Sequence, residues 1–413
     1  MLSVSDAEAI ILNLVRPLDQ QRDIEIIDLF VADKRIISTP ITSKLDFPHW
    51  DNSAMDGYAV RYQDVQHSSD AQPTILEIIE EIPAGYQPQC TVKAGQAARI
   101  FTGAVMPMGA DTVVMQEKTR REENRVFILA APQPQEFVRH QGAFYQAGQE
   151  LLPRGVKLNP PEIAVLAAAQ CAKLSVYRRP RVAIFSSGDE LVTPDQPLQP
   201  GQIVDSNQYA LAALVKEAGG EPLLLGIIQD NPDALRDAIA YAITHADIVL
   251  SSGGVSVGDY DYIDQILESL EAKIHIRSVA ISPGKPLTVA TFPTSHSPIY
   301  FGLPGNPASA MVTFWRFVQP AMKKLSGLAT GWEPEFLQVR SHHELKSSGK
   351  RETYIWGSLH LIDGVYEFHK AGGSHSPGNL INLAQTNALA VLSVGTTLIA
   401  PQAEVKVLHL AFG

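Results

Sequence analysis

Ser251-Ser-Gly-Gly-Val-Ser-Val-Gly-Asp-Tyr-Asp-Tyr262 stands between the apolar run Asp247-Ile-Val-Leu250 and the helical pattern Tyr262-Ile-Asp-Gln-Ile-Leu-Glu-Ser-Leu270. A strand therefore delivers a glycine turn to a helix start. At such a turn backbone N–H groups lack partners, Gly253 and Gly254 carry no Cβ to block close approach, and the helix dipole adds partial positive charge. That is a place for a phosphate. Asp259 and Asp261 follow at once; they would repel a bare phosphate but would hold a magnesium ion bridging its oxygens. The alternative is structural, since an aspartate near a helix N-terminus is favoured by the dipole alone.

Outward from this turn, strands alternate with helices. Arg181-Val-Ala-Ile-Phe185, Leu223–Ile228, Asp247–Leu250, Leu287–Phe292 and Ile299–Phe301 read as strands. Ser206–Glu217, Pro232–His245 and Pro307–Leu325 read as helices between or after them. The alternation implies βαβ units and a mainly parallel sheet with helices on both faces. Upstream, Ser5 is the expected cap of a first helix, a second amphipathic helix is expected over Asp23–Ile36, and Pro160–Ala172 reads as a third. Short alternating runs between Lys44 and Tyr145 predict a small β-rich domain inserted between the helical pieces. After Gly327 short strands with Gly and Pro turns predict another. The expected fold class is thus multidomain α/β plus β. Its parts are a discontinuous elongated helical/β domain (1–43 and 146–177), an inserted β-rich domain (44–145), an α/β domain (178–326) and a C-terminal β domain (327–413).

With 413 residues, the chain exceeds one ordinary core. A net charge of −11 disfavours a nonspecific hold on nucleic acid or an anionic membrane, leaving small molecules or proteins as partners. Cys90 and Cys171 stand far apart without metal-ligand spacing, fit a reducing compartment, and read as small buried residues. Neither a leader pattern nor a bilayer-long apolar run is visible, so the cytoplasm is expected. The histidines are not expected to converge on a metal, because His342 and His343 would face opposite sides of a strand.

Three strand ends carry one polar theme: Ser186-Ser-Gly-Asp-Glu190, then Ser252-Gly253-Gly254-Val-Ser256, then Gly302-Leu-Pro304-Gly-Asn306-Pro. In a parallel sheet such loops lie along one edge, so Glu190, Asp259, Asp261 and Asn306 can meet in a single crevice. Asp230 ends another strand at this edge, although Asn231 as cap and Pro232 at N1 explain it equally well. Asp205 reads as a cap neighbour. Ser282-Pro-Gly-Lys285-Pro supplies a cation near the same edge without being a Walker loop. In the β-rich domain, Asp51-Asn-Ser-Ala-Met-Asp56-Gly and Arg99-Ile-Phe-Thr102-Gly look like paired turns exposing Asp56 and Thr102.

Six segments together resemble the MoeA family of molybdopterin molybdenumtransferases, whose eukaryotic relative is the E domain of gephyrin. They are DNSAMDGYAVR (Asp51–Arg61), RIFTGAVMPMGADTVVMQE (Arg99–Glu117), SSGDEL (Ser186–Leu191), SSGGVSVGDYDY, PGKP (Pro283–Pro286) and GLPGNPASA (Gly302–Ala310). The resemblance implies a homodimer that inserts molybdate into adenylylated molybdopterin and releases AMP. Its cleft would lie between the α/β domain of one subunit and the inserted domain of the other. It points to Asp56, Thr102, Glu190, Asp230 and Asp261 as catalytic, the last three as magnesium ligands. Arg139, Ser252, Gly253, Gly254, Ser256, Lys285, Pro304 and Asn306 would bind substrate. The molybdopterin adenylyltransferase is a candidate partner.

Three positions depart from the family pattern. Phe144 replaces an aspartate after Arg139, Ser282 replaces a lysine, and Pro377 stands in a loop that commonly offers serine. These departures keep open a non-catalytic or weakened paralogue that binds pterin or acts as a scaffold. A third reading, the adenylyltransferase itself, conflicts with the inserted and C-terminal β domains.

Overall fold

The computed structural model describes residues 1–253, 262–294 and 297–410. The chain divides into two compact units. One comprises Pro40–Pro153 with Ala164–Ala172, and the other Met1–Thr39, Arg154–Ile163 and Lys173–Gly413.

The first unit is built on a six-stranded sheet. Its strands are β1 (Gly57–Val60), β2 (Thr74–Ile82), β3 (Gln96–Ile100), β4 (Thr112–Met115), β5 (Thr119–Glu122) and β6 (Arg125–Ile128), in the order β4-β1-β3-β2-β6-β5. Alternating side chains fill both faces: Tyr58, Val60, Leu76, Ala97 and Val114 on one, Ala59, Ile82, Ala98, Ile100 and Val113 on the other. Burial on both faces explains why β1 reads as a continuous apolar run.

In the second unit α1 spans Val4–Leu14 and buries Val4, Ala7 and Ile11. Its cap is Ser3, whose Oγ accepts the Asp6 N–H at 3.0 Å, not Ser5. The helix expected over Asp23–Ile36 is instead a strand, Ile24–Asp28, paired antiparallel with Lys173–Tyr177, followed by a short 3-10 turn at Leu29–Val31. β-branched Ile24, Ile26 and Ile27 suit that pairing, which a reader of the local pattern has no means to see. The helix at Pro160 ends at Ala168 rather than Ala172, and Gln170 turns the chain with φ 57°.

The α/β sheet contains β7 (Arg181–Ser187), β8 (Glu221–Ile228), β9 (Ile248–Ser252), β10 (Lys273–Ser278), β11 (Pro286–Thr291) and β12 (Ile299–Leu303). Its order is β8-β7-β9-β12-β11-β10. The first four are parallel, whereas β11 runs antiparallel to β12 and β10 antiparallel to β11. Strand β10 is absent from the sequence expectation. Val182, Ile184, Ile248, Leu250, Phe301 and Leu303 pack on one face with α2 (Asn207–Glu217). Ala183, Phe185, Val249 and Tyr300 pack on the other with α3 (Pro232–His245) and α4 (Tyr262–Ser269). Asn231 caps α3 as expected, accepting the Asp233 N–H at 2.9 Å.

After α5 (Pro307–Thr313) the helical course continues through a π-turn at Phe314–Val318 to Leu325. The C-terminal strands are β13 (Phe336–Ser341), β14 (Glu352–Ile362), β15 (Val365–Lys370), β16 (Ala388–Leu392) and β17 (Glu404–His409). They close on themselves as β14-β15-β13-β17-β16-β14, a five-stranded barrel filled by Val339, Ile355, Phe368, Ala390, Leu392, Val405 and Val407. Tyr354, Trp356, Leu389, Val391 and Leu408 point outward into the core that also holds α1. Arg316 in the π-turn is 4% exposed; it donates two bonds to Glu8 of α1 (2.6 and 2.7 Å) and one to the Tyr354 hydroxyl of β14 (3.0 Å). No helix among the described residues is long and apolar enough to cross a membrane.

Candidate active site

Strands β7, β9 and β12 are parallel neighbours, so their carboxyl ends lie side by side. Backbone segments come unusually close there. Gly253 has φ +90°, and a Cβ on it would collide with the Ser187 carbonyl oxygen; Gly305 would place a Cβ 3.5 Å from the Gly253 Cα. Asn207, at the start of α2, ties the edge together by donating to Ser252 Oγ (2.6 Å) and to the Gly305 carbonyl (2.8 Å). Ser252 Oγ itself lies 3.5 Å from the Pro304 carbonyl. Ser187 Oγ is buried without a hydrogen-bond partner among the described residues. An unpaired buried hydroxyl beside a close-approach backbone marks a position for a polar ligand.

Carboxylates border this edge. Glu190 folds back over Gly188, and the Asp230 N–H donates to Asp189 Oδ1 at 3.2 Å. Partial burial, then repulsion from Asp189 and Glu190, pushes the Asp230 carboxyl above its usual range. Glu190 and Asp230 thus lie in one acidic patch, which also contains Asp189, a residue the sequence reading did not single out. Asp205 is buried and structural: it accepts from Ser186 Oγ (3.0 Å) and from the backbone and side chain of Gln208 (3.2 and 3.1 Å).

A raised acid pKa destabilises the folded state fully above the folded value, and the penalty fades as the pH falls through that value toward the unfolded one. Asp230→Asn is therefore expected to raise the unfolding midpoint by about 1–2 °C at neutral pH without divalent cations, and by nothing at acid pH. Calorimetry at the two pH values measures this; an unchanged or lower neutral midpoint refutes it.

Lys285 reaches the same edge because β11 is antiparallel. Thr288 pairs with Gly302, so continuing the register sets position 285 level with 305. Lys285 is exposed, as is Asn306, which heads α5 without a side-chain capping bond. The first turn of α5 donates from the Ala308 N–H to the Pro377 carbonyl at 3.1 Å, bringing the C-terminal loop against Asn306. Ser282 pairs with Thr353 of β14 and is half-buried. Gly254, Ser256, Asp259 and Asp261 lie outside the described residues.

In the inserted unit, Asp56 Oδ1 accepts both the backbone N–H and the hydroxyl of Thr102, each at 2.7 Å. The Thr102 N–H, then its hydroxyl, hold the Asp56 carboxyl below its usual range. Because the Thr102 proton is committed to Asp56, its oxygen faces any ligand as an acceptor. The expected paired turns are present: Ser53 and Ala104 bond at 2.9 Å, Gly103 and Ser53 at 2.8 Å. Val138–Arg139 pairs with Asn52–Ser53, which sets exposed Arg139 opposite Asn52. Phe144 is 65% exposed and lies against Phe47, ring centroids 6.1 Å apart.

Two expectations are corrected. Cys90 is exposed and Cys171 half-buried rather than both buried, because Cys90 sits in a surface loop whose N–H bonds Glu80. The histidines do converge: His342 and His343 follow the end of β13, where strand alternation no longer separates them, and their rings lie 4.8 Å apart. Burial, then nearby His342, His360 and His343, holds the His369 imidazole below its usual value, with Glu367 opposing.

Comparison with known proteins matches the whole architecture. Residues 2–169 match the MoeA N-terminal region (domain I and II), 183–324 a "Probable molybdopterin binding domain", and 338–410 the MoeA C-terminal region (domain IV). A molybdopterin molybdenumtransferase of Nostoc sp. strain PCC 7120 is 71% identical over 410 residues, 99% of this chain and 94% of that protein. The Haemophilus influenzae protein of that name is 36% identical over 355 residues, 85% of this chain and 86% of that one. The crystal structure of a molybdopterin biosynthesis moeA protein from Pyrococcus horikoshii OT3 superposes with a TM-score of 0.83 at 26% identity, covering 99% of this chain and all of that one. On sequence across its full length, and on a multidomain fold with an α/β domain and a C-terminal barrel, the chain belongs to the MoeA family.

Proposed function

We propose that this protein is a molybdopterin molybdenumtransferase of molybdenum cofactor biosynthesis, inserting molybdate into adenylylated molybdopterin with release of AMP. The observation that carries the reading is the edge where Ser187, Gly253 and Gly305 approach without intervening Cβ atoms, bordered by Glu190 and Asp230. The 71% identity to a molybdopterin molybdenumtransferase supports it and does not favour the scaffold alternative.

The chemistry follows from the donors present. Gly253 and Gly305, without Cβ atoms, let the ends of β7, β9 and β12 close up backbone against backbone, so their loops converge on one edge where a pyrophosphate would find N–H groups and Lys285 would neutralise an oxyanion. Magnesium fits the acidic side: its usual protein share is one or two carboxylates beside substrate phosphates, and crowding of Asp230 by Asp189 and Glu190 is relieved by a divalent cation. Glu190, Asp230 and Asp261 would hold the ion. Bound there, it would polarise the pyrophosphate and ease departure of AMP. Asp56, kept anionic, fixes the Thr102 oxygen as an acceptor, and Arg139 supplies positive charge on the same unit. Phe144 and Ser282, on this reading, tune oxyanion affinity.

The reading also includes a homodimer in which each cleft takes one set of groups from each subunit, a cytoplasmic location, and an adenylyltransferase that supplies the substrate. The four-part domain division belongs to it as well. Pairing of Ile24–Asp28 with Lys173–Tyr177 supports a discontinuous first domain.

Single-turnover AMP release from adenylylated molybdopterin, with and without molybdate, tests the proposal. Wild type is expected to release AMP in a molybdate-dependent manner, and Glu190→Gln to slow it by roughly a hundredfold or more. No release at millimolar molybdate, with the pterin still bound, replaces the enzyme by the binding protein.

A further inference from the structure

The outer face of the C-terminal barrel gathers six side chains that the proposed chemistry does not use. Strand pairing sets Ser358 against His369 and His360 against Glu367, all pointing away from the barrel interior, where Phe368 is buried. Arg340 pairs with Glu367 on the neighbouring strand, and just past the end of β13 the His342 N–H donates to the Phe368 carbonyl at 2.9 Å, which sets His342 beside Glu367. The His342 ring stacks on His369, centroids 4.2 Å apart and planes 12° from parallel. His360 meets His369 edge-on at 4.6 Å.

One ligand atom from each of His342, Glu367 and His369 lies within 4.8 Å of the other two, the single such grouping among the described residues. His342 Nδ1 is 3.3 Å from Glu367 Oε2, and His369 Nε2 is 3.6 Å from the same oxygen. Ligand atoms at adjacent corners of a tetrahedral zinc site, with bonds near 2.1 Å, are about 3.4 Å apart. Two of the three edges therefore match the spacing of a bound ion, and the His342 ring, now stacked within 12° of the His369 plane, would turn for both lone pairs to meet it. A second observation concerns the burial of this atom: among the described residues His369 Nε2 finds no hydrogen bond, with Glu367 Oε2 at 3.6 Å just beyond reach. A buried imidazole nitrogen without a partner costs free energy that a ligand removes.

We infer that His342, Glu367 and His369 form a binding site for a borderline divalent transition metal of the zinc class, on the barrel's outer face and separate from the acidic edge. Two imidazoles and one carboxylate select such ions over magnesium or calcium, which take oxygen donors. Three protein ligands leave a fourth position for water or an anion. His369 also lines a cavity of ≈ 450 Å³ with Ser358, Lys370 and Asn382, which gives that position a neighbourhood able to take a small anionic ligand. The ion would pin the segment after β13 to β15.

Cobalt is the probe, because its visible absorption reports coordination. The full chain, tag-free and carrying Cys90→Ser to remove the exposed thiol, is titrated with Co2+ in millimolar Mg2+, which occupies hard oxygen sites. Wild-type ligands are expected to take up a single equivalent with an intense tetrahedral spectrum that Zn2+ displaces. His342→Ala and His369→Ala should each weaken binding by more than about 100-fold, the upper range for losing even an outer-sphere partner. Glu367→Gln, nearly isosteric, should weaken it with an unchanged far-ultraviolet circular dichroism spectrum. His343→Ala should leave it within about threefold. No uptake by the wild-type ligand set, or undiminished affinity in Glu367→Gln or in the His342→Ala/His369→Ala chain, overturns the site.

Discussion

Gly253→Ala is expected to lower molybdate-dependent AMP release by roughly a hundredfold or more, because displacing a substrate-positioning loop by about 1 Å has that effect. Two causes act together. An alanine at φ +90° is strained, and its Cβ would be driven into the Ser187 carbonyl oxygen, so the turn after β9 must move away from β7. Folding stability should fall by about 1–3 kcal/mol as well. Gly305→Ala is the comparison: its backbone has ordinary φ and its Cβ would meet Gly253 at 3.5 Å, an ordinary contact. That variant should unfold like the wild type and lose activity only by narrowing the crevice. Equal activity of Gly253→Ala and wild type in single-turnover assays would remove this edge from the active site.

The largest stability effect is expected at Glu8. Its carboxylate is held by both terminal nitrogens of Arg316, which is 4% exposed, and Arg316 also binds the Tyr354 hydroxyl, which in turn donates to Glu352 at 2.6 Å. Removing one partner of a buried pair leaves an uncompensated charge, so Glu8→Ala should lose about 3 kcal/mol, the lower end of the usual range because Glu8 is partly exposed. Glu8→Leu combined with Arg316→Met should be less destabilised than Glu8→Ala, since apolar groups of similar volume need no counter-charge. Thermal unfolding midpoints of the three chains decide it. A double variant no more stable than Glu8→Ala would mean that the charge left on Arg316 is not what costs stability.

What could be read from the chain alone follows from how local each signal is. Strands β7, β9 and β12 are buried on both faces, so their apolar runs are continuous, and the polar loops at their ends stand out against them. The Asn231-Pro232 cap and the Asp56 and Thr102 turns are equally local. Signals that depend on distant partners were not legible. Ile24–Asp28 is a strand only because Lys173–Tyr177 pairs with it, far along the chain. Lys273-Ile-His-Ile-Arg-Ser278 does alternate, and that pattern could have revealed β10; the reversal of β11, which brings Lys285 to the active edge, has no local mark. Asn207 looks like an ordinary first-turn residue until its bonds to Ser252 and Gly305 are seen. Asp189 carries no local mark that sets it apart from Glu190, and strand parity does not apply to His342 because β13 ends one residue earlier, at Ser341.

The closed barrel constrains when the C-terminal domain can fold during synthesis. Strand β17 sits between β13 and β16, so both of those strands present unpaired backbone edges until residues 404–409 have left the ribosome. Exposed edges are templates for pairing with other chains. The nascent domain can therefore pair β14 with β15 and β16, and β15 with β13, but its barrel stays open at those two edges, sheltered or at risk, until β17 has emerged.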